Sequence, residues 1–179
     1  MYTIGIAGEM PLVNLLLCEG TAYSFRVPYS SIYDGKGGGM IPGKTSERRS
    51  GGQRVLIYSH DSFGLGHLRR CRAIANALVE AYDDLSVLII SGSPIIGSFD
   101  FGDRVDFVRM PGMIKLSNGD YTSHTLDLAA EHTLEVRASI LKHTAAAFVP
   151  DIFIVDKEPL GLRGEAEATL ITLKERGTR

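Results

Sequence analysis

Cysteine is scarce in this chain, with only Cys18 and Cys71 in 179 residues. A secreted domain of this size more often carries several pairs, so a disulfide-built scaffold is excluded and a reducing compartment is expected. Long apolar runs are also missing, since no stretch reaches the roughly 18 consecutive apolar residues of a membrane span. The run Pro11–Cys18 is short and has no basic residue before it, which makes a poor signal peptide. Charge of one sign is lacking too. Nineteen basic residues face twenty-one acidic ones, a formal net charge of −2, so no global field marks the chain for nucleic acid. The five histidines offer no standard ligand spacing: His60 and His67 are separated by a glycine loop, and His124, His132 and His143 are scattered. No metal site is expected. These absences lead to the expectation of a soluble cytoplasmic protein with no nucleic-acid partner and no membrane span. Peripheral contact with a membrane surface stays open.

What is present is ordinary globular composition, 44 % apolar and 22 % charged, with one uneven component. Of 20 glycines, ten fall in the first 52 positions and ten in the remaining 127. Positions 1–34 hold short apolar pieces (Tyr2–Ala7, Leu12–Cys18) without a sustained period of 2 or 3.6. Positions 35–52, GKGGGMIPGKTSERRSGG, contain seven glycines, one proline and five charged residues. Such a segment buries too little apolar area to offset chain entropy. The expected organisation is therefore an irregular, flexible extension and glycine-rich linker over 1–52 and a folded domain over 53–179. Gly38, Gly43, Lys44 and Thr45 satisfy the spacing of a phosphate-binding P-loop. Neither a buried strand before them nor an apolar-faced helix after them is present, so the match is read as chance.

From Arg54 the pattern changes. Val55–Ser59 is a nearly continuous apolar run, as in a strand buried on both faces of a parallel sheet. After the loop HDSFGLG, residues 67–82 carry apolar side chains at 68, 71, 74, 75, 78, 79 and 82, which is helical spacing. Cys71 falls on that apolar face as a small buried hydrophobe. Val87–Ile90, Val105–Met110 and Ile152–Val155 read as further strands. Leu126–Phe148 and Glu165–Arg176 read as helices, the last stopped by Gly177. Alternating strands and helices predict an α/β fold: a parallel, Rossmann-like sheet with helices on both faces, preceded by an irregular N-terminal arm. Sites in such folds form outside the carboxyl ends of the strands. The loops to inspect are 60–66, 91–98, 111–124 and 156–164. Three or four βα units leave a sheet edge unpaired, so the domain is expected to be a truncated half of something longer.

The first of these loops leads into the segment SHDSFGLGHLRRCRAIANAL. Gly64 and Gly66 suit close approach of a ligand, and His67 opens the helix where amides favour anionic groups. Dinucleotide binding is disfavoured, because the third glycine of the fingerprint would fall at Arg69 and the second strand ends in Ser91-Gly92-Ser93 without an acidic residue. The element G-x-G-H-x-x-R resembles the one that opens the N-terminal domain of GT-B glycosyltransferases, of the family 28-like type. Bacterial predicted glycosyltransferases carrying G-L-G-H-L-R-R before an alanine-rich helix are more similar still. The pieces MPGMIKLSNGDYTS (110–123) and PDIFIVDKEPLGLRGE (150–165) extend the resemblance across 54–179, while 1–52 has no counterpart in it.

That resemblance implies the acceptor-side half of an enzyme moving a sugar from a nucleotide-sugar donor to an acceptor hydroxyl. It implies no cofactor and no bound metal. The donor would be held by a C-terminal domain beyond this chain, which alone would be inactive. Gly64 and Gly66 would face the interdomain cleft. His67 would stand where a related nucleotide-sugar hydrolase has a histidine acting as base, a role an imidazole titrating near neutrality can fill. The plainer reading of His67 is a helix cap. Arg70, within the basic group Arg69, Arg70 and Arg72, is a candidate partner for a substrate phosphate or carboxylate. Asp156, Lys157 and Glu158 follow the last strand at its carboxyl end, the edge for acceptor contacts, and are equally a solvated turn. Lys115, with Met113 and Tyr121, lies in a long polar loop placed to close over an acceptor. The competing functions are a nucleotide-sugar hydrolase, with water as acceptor, and a non-catalytic binding module or gene fragment.

Overall fold

The computed structural model describes residues 52–60 and 65–178, together with the backbone of 12–16 and 22–26. The chain divides into two units, 1–47 and 48–179. In the first, β1 (Leu12–Leu16) pairs antiparallel with β2 (Ala22–Arg26), Leu12 opposite Arg26 and Leu16 opposite Ala22. A regular ladder here departs from the irregular arm expected for this region. Its signal is the period-2 placement of Tyr23 and Phe25, five residues long and therefore too short to stand out. The P-loop look-alike, Cys18, and most of the glycine-rich segment lie outside the described residues. Gly52 is described, and it is no linker glycine: a Cβ there would stand 1.6 Å from the Asp84 carbonyl oxygen.

The second unit is an α/β domain built as the apolar runs predict. Its strands are β3 (Gln53–Ser59), β4 (Leu85–Ser91), β5 (Val105–Arg109) and β8 (Ile152–Val155). They form one parallel sheet in the order β5-β4-β3-β8. The helices are α1 (Gly66–Ala81), α2 (Ala130–Phe148) and α3 (Glu167–Glu175). Alternation along the strands assigns the two faces. Val55, Ile57, Val87 and Ile89 pack with Leu68, Cys71, Ala75 and Val79 of α1. Leu56, Tyr58 and Ile90 pack on the other face with Leu141 and Ala145 of α2 and Leu173 of α3. Leu56, Ile57, Ile89 and Ile90 are completely buried, each contributing about 1.5–3 kcal/mol. This is the half-Rossmann arrangement the sequence predicts, and Cys71 is buried in it.

Side chains and backbone turns finish the helices. Arg104, itself left-handed at φ 66°, donates to the carbonyls of Val79 (2.6 Å), Tyr82 (2.7 Å) and Leu85 (3.2 Å). Helix α1 thus has its last carbonyls satisfied by a guanidinium. Helix α2 ends at Val149 in the left-handed region, ahead of Pro150, and Gly177 closes α3 at φ 82°.

The region 111–124 differs from the expected loop. Met113–Lys115 (β6) and Tyr121–Ser123 (β7) form an antiparallel ribbon, closed over residues 116–120 with Gly119 at φ 90°. Met113 is buried at its base. Strands of three residues are too short to show alternation in a sequence, although Asn118-Gly119 is a turn signal.

Candidate functional site

Parallel order brings the ends of β3, β4, β5 and β8 to one edge, where α1 begins. Because Ile152 and Ile154 face α1, the next residue of that parity is Asp156. Strand pairing carries one step past β8, with the Asp156 amide donating to the Tyr58 carbonyl at 2.9 Å. Its carboxylate therefore points to the first turns of α1, where His67 and Arg70, three residues apart, share a helix face.

The three side chains meet. His67 Nδ1 lies 2.6 Å from Asp156 Oδ2, and Arg70 Nη2 lies 2.5 Å from Asp156 Oδ1. Asp156 is 7 % exposed, whereas His67 and Arg70 keep 28 % and 29 % of their side-chain surface. An ionised carboxylate can only accept, so opposite it the proton of a neutral His67 sits on Nδ1. Arg70 Nη2 is also 2.8 Å from Nδ1, but with that nitrogen protonated the contact is not a hydrogen bond. The lone pair is then on Nε2, for which the described residues provide no hydrogen-bond partner. An imidazole oriented by a buried carboxylate, with the far nitrogen open, is the arrangement of a general base.

The remaining expected residues are distributed differently. Gly66 is the first residue of α1, and a Cβ there would meet nothing within 4 Å. Among the described residues no turn demands glycine at 66 and nothing crowds it. Gly64 lies outside the described residues. Lys157 and Glu158 are exposed and join neither His67 nor Arg70. Lys115 belongs to the β6–β7 ribbon, where its Nζ is 6.0 Å from the Tyr121 ring centre. Arg69 is exposed, and Arg72 lies over Phe99 at 5.4 Å. His60, at the end of β3, has its pKa lowered by burial first and by Lys157 second, so its imidazole is held neutral. Its Nδ1 is buried without a hydrogen-bond partner among the described residues.

No family model, curated protein or solved structure matches the chain. Among the described residues no group of three or more histidine, cysteine or acidic side chains is placed to hold a metal ion. No described helix is long and apolar enough to cross a membrane.

Behind the dyad, on the opposite face of the sheet, lies a buried ionic cluster that sequence reasoning missed. Arg137 of α2 is fully buried and grips Glu165 with two bonds, Nε to Oε2 at 2.7 Å and Nη2 to Oε1 at 2.6 Å. Its Nη1 donates to the Pro111 carbonyl at 2.6 Å. Tyr58 donates its hydroxyl to Glu165 Oε1, and the Tyr58 hydroxyl oxygen in turn accepts from the Leu162 amide at 3.3 Å. Burial, and then the Glu165 charge, push the Tyr58 pKa far up. Burial alone would lower the Arg137 pKa, but the bonds and charge of Glu165 outweigh it and raise it. The available signal was the stripe Thr133, Arg137, Leu141, Ala145 on the buried side of α2, in which an arginine occupies a core position. The cluster ties the loop after β5 and the loop after β8 to the sheet, so Asp156 is anchored a few residues upstream of a fixed point.

Proposed function

We propose that this chain is the acceptor-side half of a GT-B-like glycosyltransferase in which His67 is the general base. The observation that carries the reading is the 2.6 Å contact between His67 Nδ1 and Asp156 at the carboxyl edge of a parallel sheet. Nε2 takes the proton of an acceptor hydroxyl as its oxygen bonds to the anomeric carbon of a nucleotide sugar. The bond from that carbon to the diphosphate breaks, and the nucleoside diphosphate leaves with the electron pair. Asp156 stabilises the imidazolium that results, and Arg70 holds the Asp156 carboxylate in place through its contact with Oδ1. Donor binding is assigned to a second domain, in keeping with the family resemblance.

The test measures sugar transfer by the chain alone and by a polypeptide in which it is joined to a donor-binding C-terminal domain. Transfer is expected only from the joined form, and His67→Ala is expected to lower it by about 10²–10⁴, the usual worth of a general base. Undiminished transfer by His67→Ala refutes the assignment. Water can replace the acceptor at the same nitrogen, so free sugar released from donor without acceptor identifies the nucleotide-sugar hydrolase instead.

A further inference from the structure

The loop from Asp156 to Glu165 is held at both ends, by the dyad and by the buried cluster, and its backbone between them is unusual. Gly161 and Gly164 have φ of 73° and 86°, as glycines do, but Lys157 and Arg163 are also left-handed at 67° and 49°. A side chain in that region is disfavoured, and glycine would relieve it. Arg163 bears this cost where a glycine would not, which points from the strain to a use for its side chain.

Arg163 shows what that use is. Its guanidinium lies 5.3 Å from the Tyr121 ring centre, and Lys115, the cross-strand partner of Tyr121, lies 6.0 Å from the same ring. Two cations share one half-buried aromatic ring. The compensating charge is slight: Arg163 meets Asp120 at 3.5 Å, with 45 % and 67 % of the two side chains exposed. Lys115 has no ion-pair partner among the described residues.

We infer that Lys115, Tyr121 and Arg163 form a binding subsite for a phosphate ester, separate from the His67–Asp156 dyad. The guanidinium supplies a fork for two oxygens, the ammonium a point charge, and the tyrosine hydroxyl a further donor. A tetrahedral anion with three outer oxygens uses all of them, and a planar carboxylate does not. The ring draws both cations to one place before the ligand arrives, which lowers the cost of bringing them together on binding. The assignment does not depend on sugar transfer, and its failure would leave the role of His67 untouched.

The test is a titration of the isotopically labelled 179-residue chain with pyrophosphate, followed by nuclear magnetic resonance at constant ionic strength. Saturable shifts are expected at residues 113–123 and 161–165. Lys115→Gln and Arg163→Gln should each weaken binding about tenfold, as the loss of one charge-assisted contact does. His67→Ala should bind as the unaltered chain does. Arg163→Gly should lose the same affinity without a lower melting temperature, because the left-handed backbone is relieved. Displacement of pyrophosphate by glucose 1-phosphate supports a soluble ester, and displacement by phosphatidic-acid vesicles supports a lipid headgroup. Absence of saturable shifts, undiminished binding by both glutamine variants, loss of binding in His67→Ala, or equal affinity for malonate overturns the assignment.

Discussion

Replacing Arg137 by methionine keeps much of its volume and removes its charge. In the folded chain that charge is fully buried, and Glu165 has 1 % of its side chain exposed. The variant therefore leaves a buried carboxylate with only the Tyr58 hydroxyl to satisfy it, and also strips the Pro111 carbonyl of its donor. Breaking such a pair from one side costs about 3–5 kcal/mol, a large share of the roughly 5–15 kcal/mol that holds a domain together. For a unit of this size that lowers the melting temperature by about 10–20 °C. Glu165→Leu leaves Arg137 unpaired and should cost about as much. The double variant removes both charges, so its loss should be only about 2 kcal/mol, from the Pro111 carbonyl and the Tyr58 hydroxyl that lose their partners. The two single losses sum to about 8 kcal/mol, and the expected coupling is the difference, about 6 kcal/mol. Urea unfolding followed by circular dichroism measures all four corners of the cycle. A loss under about 1 kcal/mol for Arg137→Met, or a double variant as unstable as the sum, would refute the reasoning.

Three further outcomes are expected. Asp156→Asn presents an amide in place of a pure acceptor and should shift the His67 proton from Nδ1 towards Nε2, visible in imidazole nitrogen spectra; an unchanged tautomer would show that Asp156 does not orient the ring. Tyr58 has a raised folded pKa, so the unfolded chain loses its phenolic proton first, and stability present below pH about 10 falls as pH rises beyond it. Tyr58→Phe should flatten that alkaline fall; equal slopes in both proteins count against the burial of the hydroxyl. His60 has a lowered folded pKa, so its contribution is present above pH about 6.5 and is lost as pH falls below it. His60→Asn should lose less stability than the unaltered chain between pH 7.5 and 5.5, and an identical loss would place the imidazole in solvent.

The fold was legible where burial on both faces leaves a continuous apolar run. Ile152–Val155 is a strand with the limits the run suggests, and β3 and β4 extend theirs by one or two residues at an end. The paired segments Leu12–Leu16, Ala22–Arg26, Met113–Lys115 and Tyr121–Ser123 were not legible. Runs of three to five residues give a period-2 signal no stronger than chance. The site divides in the same way. His67, Arg70 and Asp156 were singled out one by one from their loops, but 89 residues separate the two members of the dyad, and only the sheet order brings them together. Tyr58, Arg137 and Glu165 went unnoticed because each looked like part of a strand or helix, and a charge is recognised as buried only when its helix face is known.

Strand order also carries a temporal consequence. β3 is the first strand of the sheet to be made, and its partner on one side, β8, is the last. Once residues up to 109 have left the ribosome, β3, α1, β4 and β5 can pair and cover one face with contacts close in sequence. The other face, with Leu56, Tyr58 and Ile90, has to wait for α2 and α3, and one edge of β3 stays open until Ile152–Val155 emerges. A growing chain of this kind presents a greasy sheet face and a bare edge together, the combination holdase chaperones bind. Arrival of the final strand closes the edge and delivers Asp156 to His67 in the same step, so the dyad cannot exist in a half-made molecule.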